Sequence, residues 1–146
     1  MSNSVPQNYE NHRRYIFGYH VLTFFLLTVN LVWALYLFLI HFTVASVISV
    51  ATSVAILLVA YYAREFALGD QDRIIRLEER LRLGNLLPDD LKPQISSLTT
   101  RQLVALRFAS DAELPDLTRT VITEGLTDGK EIKRRIKAWK PDHQRI

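Results

Sequence analysis

The side chains most able to do chemistry in this 146-residue chain are scattered. Its four histidines are His12, His20, His41 and His143. None has a second histidine one helical turn away, and there is no cysteine to share a metal. The absence of cysteine also excludes disulfides, iron–sulfur clusters and thiol nucleophiles. No glycine-rich phosphate loop is present, and Gly125 and Gly129 read as a helix cap and a turn. Carboxylates are plentiful, but Asp70, Asp72, Asp89 and Asp90 sit where helix starts favour acids. No carboxylate pair is set apart by an apolar surrounding. The chain is therefore expected to have no catalytic residues, no cofactor and no metal site.

A second polar set lies inside an apolar block. From Tyr15 to Ala63 there is no Lys, Arg, Asp or Glu. Within it His20, Thr23, Asn30, Ala34 and His41 fall near one helix face, and Ser46, Ser49 and Ser53 near one face of a second helix. Ser49 and Ser53, like Ala51 and Ala55, have the small-xxx-small spacing that lets helix backbones approach. Packing between helices is the economical reading. The rival is a polar pathway or proton site through His20 and Asn30, which two helices could enclose only by oligomerising.

The uncharged block is about twice the length that one bilayer crossing needs at ~1.5 Å per residue. It predicts two spans, about 16–40 and 44–63, with His41-Phe42-Thr43 as the turn. A secretory or twin-arginine signal at Arg13-Arg14 fits poorly. The apolar run is too long, no small-residue cleavage site follows, and a second run comes straight after. Arg13 and Arg14 precede the block, Arg64, Arg73, Arg76, Arg80 and Arg82 follow it, and the turn has no Lys or Arg. That bias places both termini in the cytoplasm. Residues 1–14 form a polar tail, expected to be mobile over residues 1–11.

Past Arg64 the helix is expected to continue to Gly84-Asn85 as an amphipathic stalk over residues 64–85, straight or hinged at Gly69. Ile74, Leu77 and Leu81 fall on one face, a stripe suited to docking a domain or a second copy. Asp72–Arg76 and Glu78–Arg82 are spaced as acid-to-base pairs. Residues 86–146 read as a small helical domain. Thr99 with Gln102, and Ser110 with Glu113, have capping-box spacing. Leu103, Val104, Leu106 and Phe108 belong in its core, and Leu114, Leu117, Val121 and Ile122 form a buried stripe closed by Gly125. A last helix capped by Thr127 would bury Ile132, Ile136 and Trp139, with Pro141 as its end. A core this small needs the stalk, the membrane surface or another subunit to be stable.

Net charge is +3 and the pI about 9.3, and most of the basic excess lies in residues 130–146. Lys130, Lys133, Arg134, Lys137 and Lys140 spread over the face opposite Ile132, Ile136 and Trp139. That face is either solvated or held against an anionic leaflet. Nucleic acid is the weaker alternative, because aromatics are not interleaved with the bases.

Several stretches together resemble a family of small bacterial membrane proteins of unknown function. They are Gln7-Asn8-Tyr9 ahead of Asn11-His12, Asn30-Leu31-Val32-Trp33, the run from Gln71 to Arg82, and the run from Leu103 to Asp111. The resemblance implies a bacterial cytoplasmic (inner) membrane and a two-span layout, and carries over no functional residues. The resulting expectation is an all-α protein: a transmembrane hairpin, an amphipathic stalk and a small cytoplasmic helical domain. Its expected partners are the bilayer, anionic lipid, and a further copy or another membrane protein.

Overall fold

A computed structural model describes residues 7–12 and 15–142. The described residues are helical, without a β-strand, and form two compact units. One runs from residue 15 to Leu68. The other combines residues 7–12 with Gly69 onward.

The first unit begins with a π-helical stretch, Gly18–Thr23, leading into helix α1, Phe24–Ile40. The Thr23 hydroxyl donates to the Gly18 carbonyl at 2.9 Å, five residues back, matching the wider π spacing. Helix α2 starts at Val44. The turn between them lacks Gly and Pro, and reciprocal side-chain caps fix it instead. Thr43 N–H donates to Ser46 Oγ at 3.0 Å, and Ser46 N–H donates to Thr43 Oγ1 at 3.1 Å. Two helices, Gly18–Ile40 and Val44–Leu86, are long and apolar enough to cross a membrane. Their large apolar side chains, among them Trp33, Leu39, Ile48 and Val59, are exposed.

Helix α2 runs unbroken through Gly69 to Leu86, slightly past the expected end at Gly84-Asn85. A 3-10 turn, Lys92–Ser97, follows, with Pro93 in its first turn. Three short helices complete the second unit: α3 (Thr100–Leu106), α4 (Leu114–Thr123) and α5 (Gly129–Arg135). The Thr99–Gln102 capping box forms as its spacing predicts. Gln102 does more, because its Nε2 donates to the Leu126 carbonyl at 2.8 Å and ties α3 to the end of α4. Helix α4 ends at a Schellman turn: Leu126 N–H donates to Val121 O at 3.0 Å and Gly125 N–H to Ile122 O at 3.3 Å. Gly125 takes φ +63° there.

Three local expectations are corrected. The Ser110–Glu113 box forms only in part. Ser110 Oγ accepts from Glu113 N–H at 3.3 Å, but the Glu113 carboxylate turns to the backbone N–H groups of Lys137 and Ala138. Asp128, not Thr127, caps α5, accepting from Lys130 N–H at 3.0 Å. The last helix stops at Arg135 instead of reaching Pro141. Beyond it Ile136 is extended, the chain bends at Lys137 and Ala138, and Ala109 and Trp139 form an isolated antiparallel bridge. Its two hydrogen bonds, Ser110 N–H to Ala138 O at 2.9 Å and Lys140 N–H to Phe108 O at 2.7 Å, replace further helical ones.

The core of this unit joins Leu83, near the end of α2, and Leu87, just past it, to Leu103, Leu106, Leu117, Val121 and Ile132. Ala105 of α3 faces α5 closely, since a Cβ on Gly129 would meet it at 3.7 Å. The left-handed backbone at Gly125 disfavours any L side chain by about 1–2 kcal/mol. Gly125→Ala is therefore expected to lower unfolding stability by about 1 kcal/mol, read from thermal melts of the detergent-solubilised protein. An unchanged melting temperature would contradict this assignment of the turn.

Candidate functional site

Residues 7–11, expected to be mobile, are instead built into the second unit together with His12. Phe108 is fully buried just past α3 and is the centre on which they converge. The His12 ring meets it edge-on at 5.5 Å, and the Trp139 ring lies 5.1 Å from it. His12 also stands 5.7 Å from Trp139. Edge-on and offset arrangements suit the ring quadrupoles. Two cations approach the same ring, Arg107 at 4.5 Å and Lys133 at 4.9 Å.

Polar contacts fix the register. His12 Nδ1 lies 2.6 Å from the Tyr9 carbonyl, and Nε2 lies 3.2 Å from Lys133 Nζ. Nδ1–H therefore donates to Tyr9, and neutral Nε2 accepts from the ammonium. Arg134 stacks its guanidinium 5.5 Å over the Tyr9 ring. The Gln7 amide reads the backbone of Asp142 in both directions, accepting from its N–H at 2.7 Å and donating to its carbonyl at 3.4 Å. Asp142 in turn pairs with Arg107 Nε at 3.4 Å.

The expected basic face thus divides. Lys133 and Arg134 serve the N-terminal segment. Lys137 and Lys140 lie beyond α5, and Lys140 approaches Asp111 at 3.7 Å. Lys130 is exposed on α5. Arg135, outside the expected basic set, pairs with Glu124 and Glu131. Those two carboxylates raise the pKa of Arg135, the Glu124 hydrogen bond most. His143 lies outside the described residues.

The stripe on the stalk does not serve the first of its two expected uses, docking a domain. Ile74, Leu77 and Leu81 do not dock helices α3 to α5, and remain 57%, 62% and 64% exposed. Ile75, Glu79 and Leu83 are buried instead. At about 100° per residue the two sets occupy opposite sides of α2. Arg82 does not pair with Glu78. It bonds to Glu79 at 3.2 Å, to Asp111, and to the carbonyls of Arg107 and Ala109, the last at 2.7 Å. One guanidinium therefore fastens α2 to the loop after α3. Burial pushes the Glu79 carboxyl up, and Arg82 beside it pulls it partly back. The Arg82 hydrogen bond holds the exposed Asp111 below its usual range.

Within the first unit the polar residues satisfy one another locally. Ser53 Oγ donates to Asn30 Oδ1 at 2.7 Å, joining α1 to α2. Ser49 supplies a carbonyl to the same hydroxyl at 2.8 Å. Ser46 belongs to the turn. His20 Nδ1 lies 2.9 Å from the Ile16 carbonyl, and its ring stacks on Tyr15 at 5.0 Å. The Tyr19 hydroxyl donates to the Ala60 carbonyl. Among the described residues no group of three or more His, Asp and Glu is placed to hold a metal ion.

Arg82→Met leaves Glu79 buried without its partner and should cost about 3 kcal/mol in chemical or thermal unfolding. The two acids that Arg82 bridges respond oppositely to pH. Asp111 has a lowered folded pKa, so the advantage of wild type over Asp111→Asn is present above pH 3.8 and shrinks as pH falls below it. Glu79 has a raised folded pKa, so wild type should lose stability relative to Glu79→Gln as pH rises from 4.5 through that pKa. Melting temperatures of the three proteins across pH check both signs.

Comparison with known proteins gives one result. No curated protein and no solved structure matches the chain. A family model matches residues 1–146, and the chain belongs to that family, DUF6526, a family of unknown function.

Proposed function

We propose that the protein is a membrane-anchored, non-catalytic module that holds a helical interaction domain at the cytoplasmic face, as a homo-oligomer or as an accessory subunit. The observation that carries this is the packing of His12 against Phe108 and Trp139. His12 precedes both apolar helices and Phe108 follows both. If those helices cross a bilayer, the contact requires an even number of crossings, which is a hairpin with both ends on one side. The excess of Arg outside the hairpin, against none in its turn, assigns that side to the cytoplasm.

The side chains of the first unit favour an anchor over a conduit. Asn30 and Ser53 engage each other, and His20 engages its own helix start. Exposed Leu, Ile, Val and aromatic side chains cover the two helices, as a lipid-facing surface requires. In the soluble unit, the raised Glu79 carboxyl is bound by Arg82, an arrangement suited to fastening. Interaction with another chain is what an anchored, helical, non-catalytic unit of this kind can supply.

The chain lacks cysteine, so single cysteines report topology directly. A membrane-impermeant maleimide applied to intact cells, after the outer membrane is opened, should label Phe42→Cys. It should label Asn8→Cys and Thr127→Cys only after the inner membrane is permeabilised. Labelling of Asn8→Cys and Thr127→Cys from opposite sides would refute the hairpin. The inverse pattern at all three positions would reverse the orientation.

A further inference from the structure

We infer that the exposed stripe of α2 is a parallel pairing seam for a second copy of this chain, an inference that rests on the anchored reading above. The stripe has the order that such a seam requires. With Ile74 at a heptad a position, Leu77 falls at d and Leu81 at the next a. Ile74 at a with Leu77 at d is the combination that favours two parallel strands, and leucine fills the second a position. All three side chains are more than half exposed, although they are apolar and regularly spaced on an ordered helix.

Charge selects the same occupant. Arg73 lies at g and Glu78 at the following e. In a parallel pair these are the positions that face each other across the seam, so Arg73 of each copy meets Glu78 of the other. Both residues are exposed, and neither forms an ion pair with the described residues of its own chain. A second copy therefore supplies the complement that the chain does not supply to itself. Asp70 and Gly84 occupy the flanking d positions and limit the seam to the stretch between them.

Orientation and strength follow from the anchor. Two copies inserted by the same hairpin present their stalks in the same direction, which permits parallel pairing and forbids the antiparallel kind. Three seam positions are too few to hold free helices together in water. Confinement to one membrane raises the effective concentration and makes the second contact nearly intramolecular. The soluble helices do not obstruct this, because they occupy the other side of α2, at Ile75, Glu79 and Leu83.

The test uses the full-length protein in native membranes with single cysteines at Ile74, Leu77, Leu81, Asp72 and Arg76. Mild oxidation should yield disulfide-linked homodimers from Ile74→Cys, Leu77→Cys and Leu81→Cys. Asp72→Cys and Arg76→Cys, on the other side, should give severalfold less. In the Leu77→Cys background, Arg73→Glu should lower dimer yield severalfold, and the exchange Arg73→Glu/Glu78→Arg should restore it. Equal yields at all five positions, no dimer at any, a product containing only a different protein, or no response to the exchange would each overturn the seam. Maleimide labelling of the same cysteines separates the two claims. Cytoplasmic labelling without dimers removes the seam alone, whereas labelling from the outside removes the anchored reading beneath it.

Discussion

The second unit depends on what surrounds the Phe108 ring. His12 and Trp139 fill its sides, Arg107 and Lys133 lie close enough to use its faces, and its carbonyl anchors the segment after α5. Each contact comes from a different part of the chain. A ring can serve all of them because its body is apolar while its quadrupole attracts cations and ring edges. The small core described by Leu103, Leu106 and Ile132 is extended through this one side chain to the N-terminal segment. A domain of this size gains disproportionately from such an extension, since each added buried group offsets a large loss of chain entropy.

The second fastening, at Arg82, works on a different principle. Arg82 compensates Glu79, whose burial would otherwise be unfavourable, and engages two carbonyls beyond α3 that the helix leaves open. The ion pair is worth little as an energy source, because desolvation opposes it. Its effect is to set which side of α2 meets the soluble helices. Glu79 and Arg82 belong on a side that can pair them, and Ile75 and Leu83 lie there too. The more apolar side, with Ile74, Leu77 and Leu81, is left open.

That outcome shows where the sequence was legible and where it was not. The apolar helices, the turn at His41–Thr43, the Thr99–Gln102 box and the Gly125 cap each rest on a local signal: length, spacing or a backbone conformation. All four appear as such signals predict. The docking side of the stalk rests on a choice between two faces. Periodicity favours Ile74, Leu77 and Leu81, while tertiary partners decide for Ile75, Glu79 and Leu83. The short α5 is illegible for a related reason. Ile132, Ile136 and Trp139 suit a helical stripe, but the backbone groups of Lys137, Ala138 and Lys140 find Glu113 and Phe108 and leave the helix. The N-terminal segment gave one usable signal. Tyr9 and His12 are one helical turn apart in an otherwise polar stretch, and aromatic residues in a tail are poorly explained by solvation alone.

The burial of His12 changes what the N-terminal segment is for. A solvated tail would leave the two ends of the hairpin independent, and the first helix would need only its own hydrophobicity to stay in place. With residues 7–12 held at Phe108, the loop from His12 through both apolar helices to α3 is closed by tertiary contacts. Closing a long loop restricts its ends at a cost that grows only slowly with length, so a modest cluster can sustain it. On the proposed arrangement, inverting or withdrawing either apolar helix would first require the His12–Phe108–Trp139 cluster to open. On that arrangement, the same cluster that completes the core of the second unit would couple its folding to the topology of the two apolar helices.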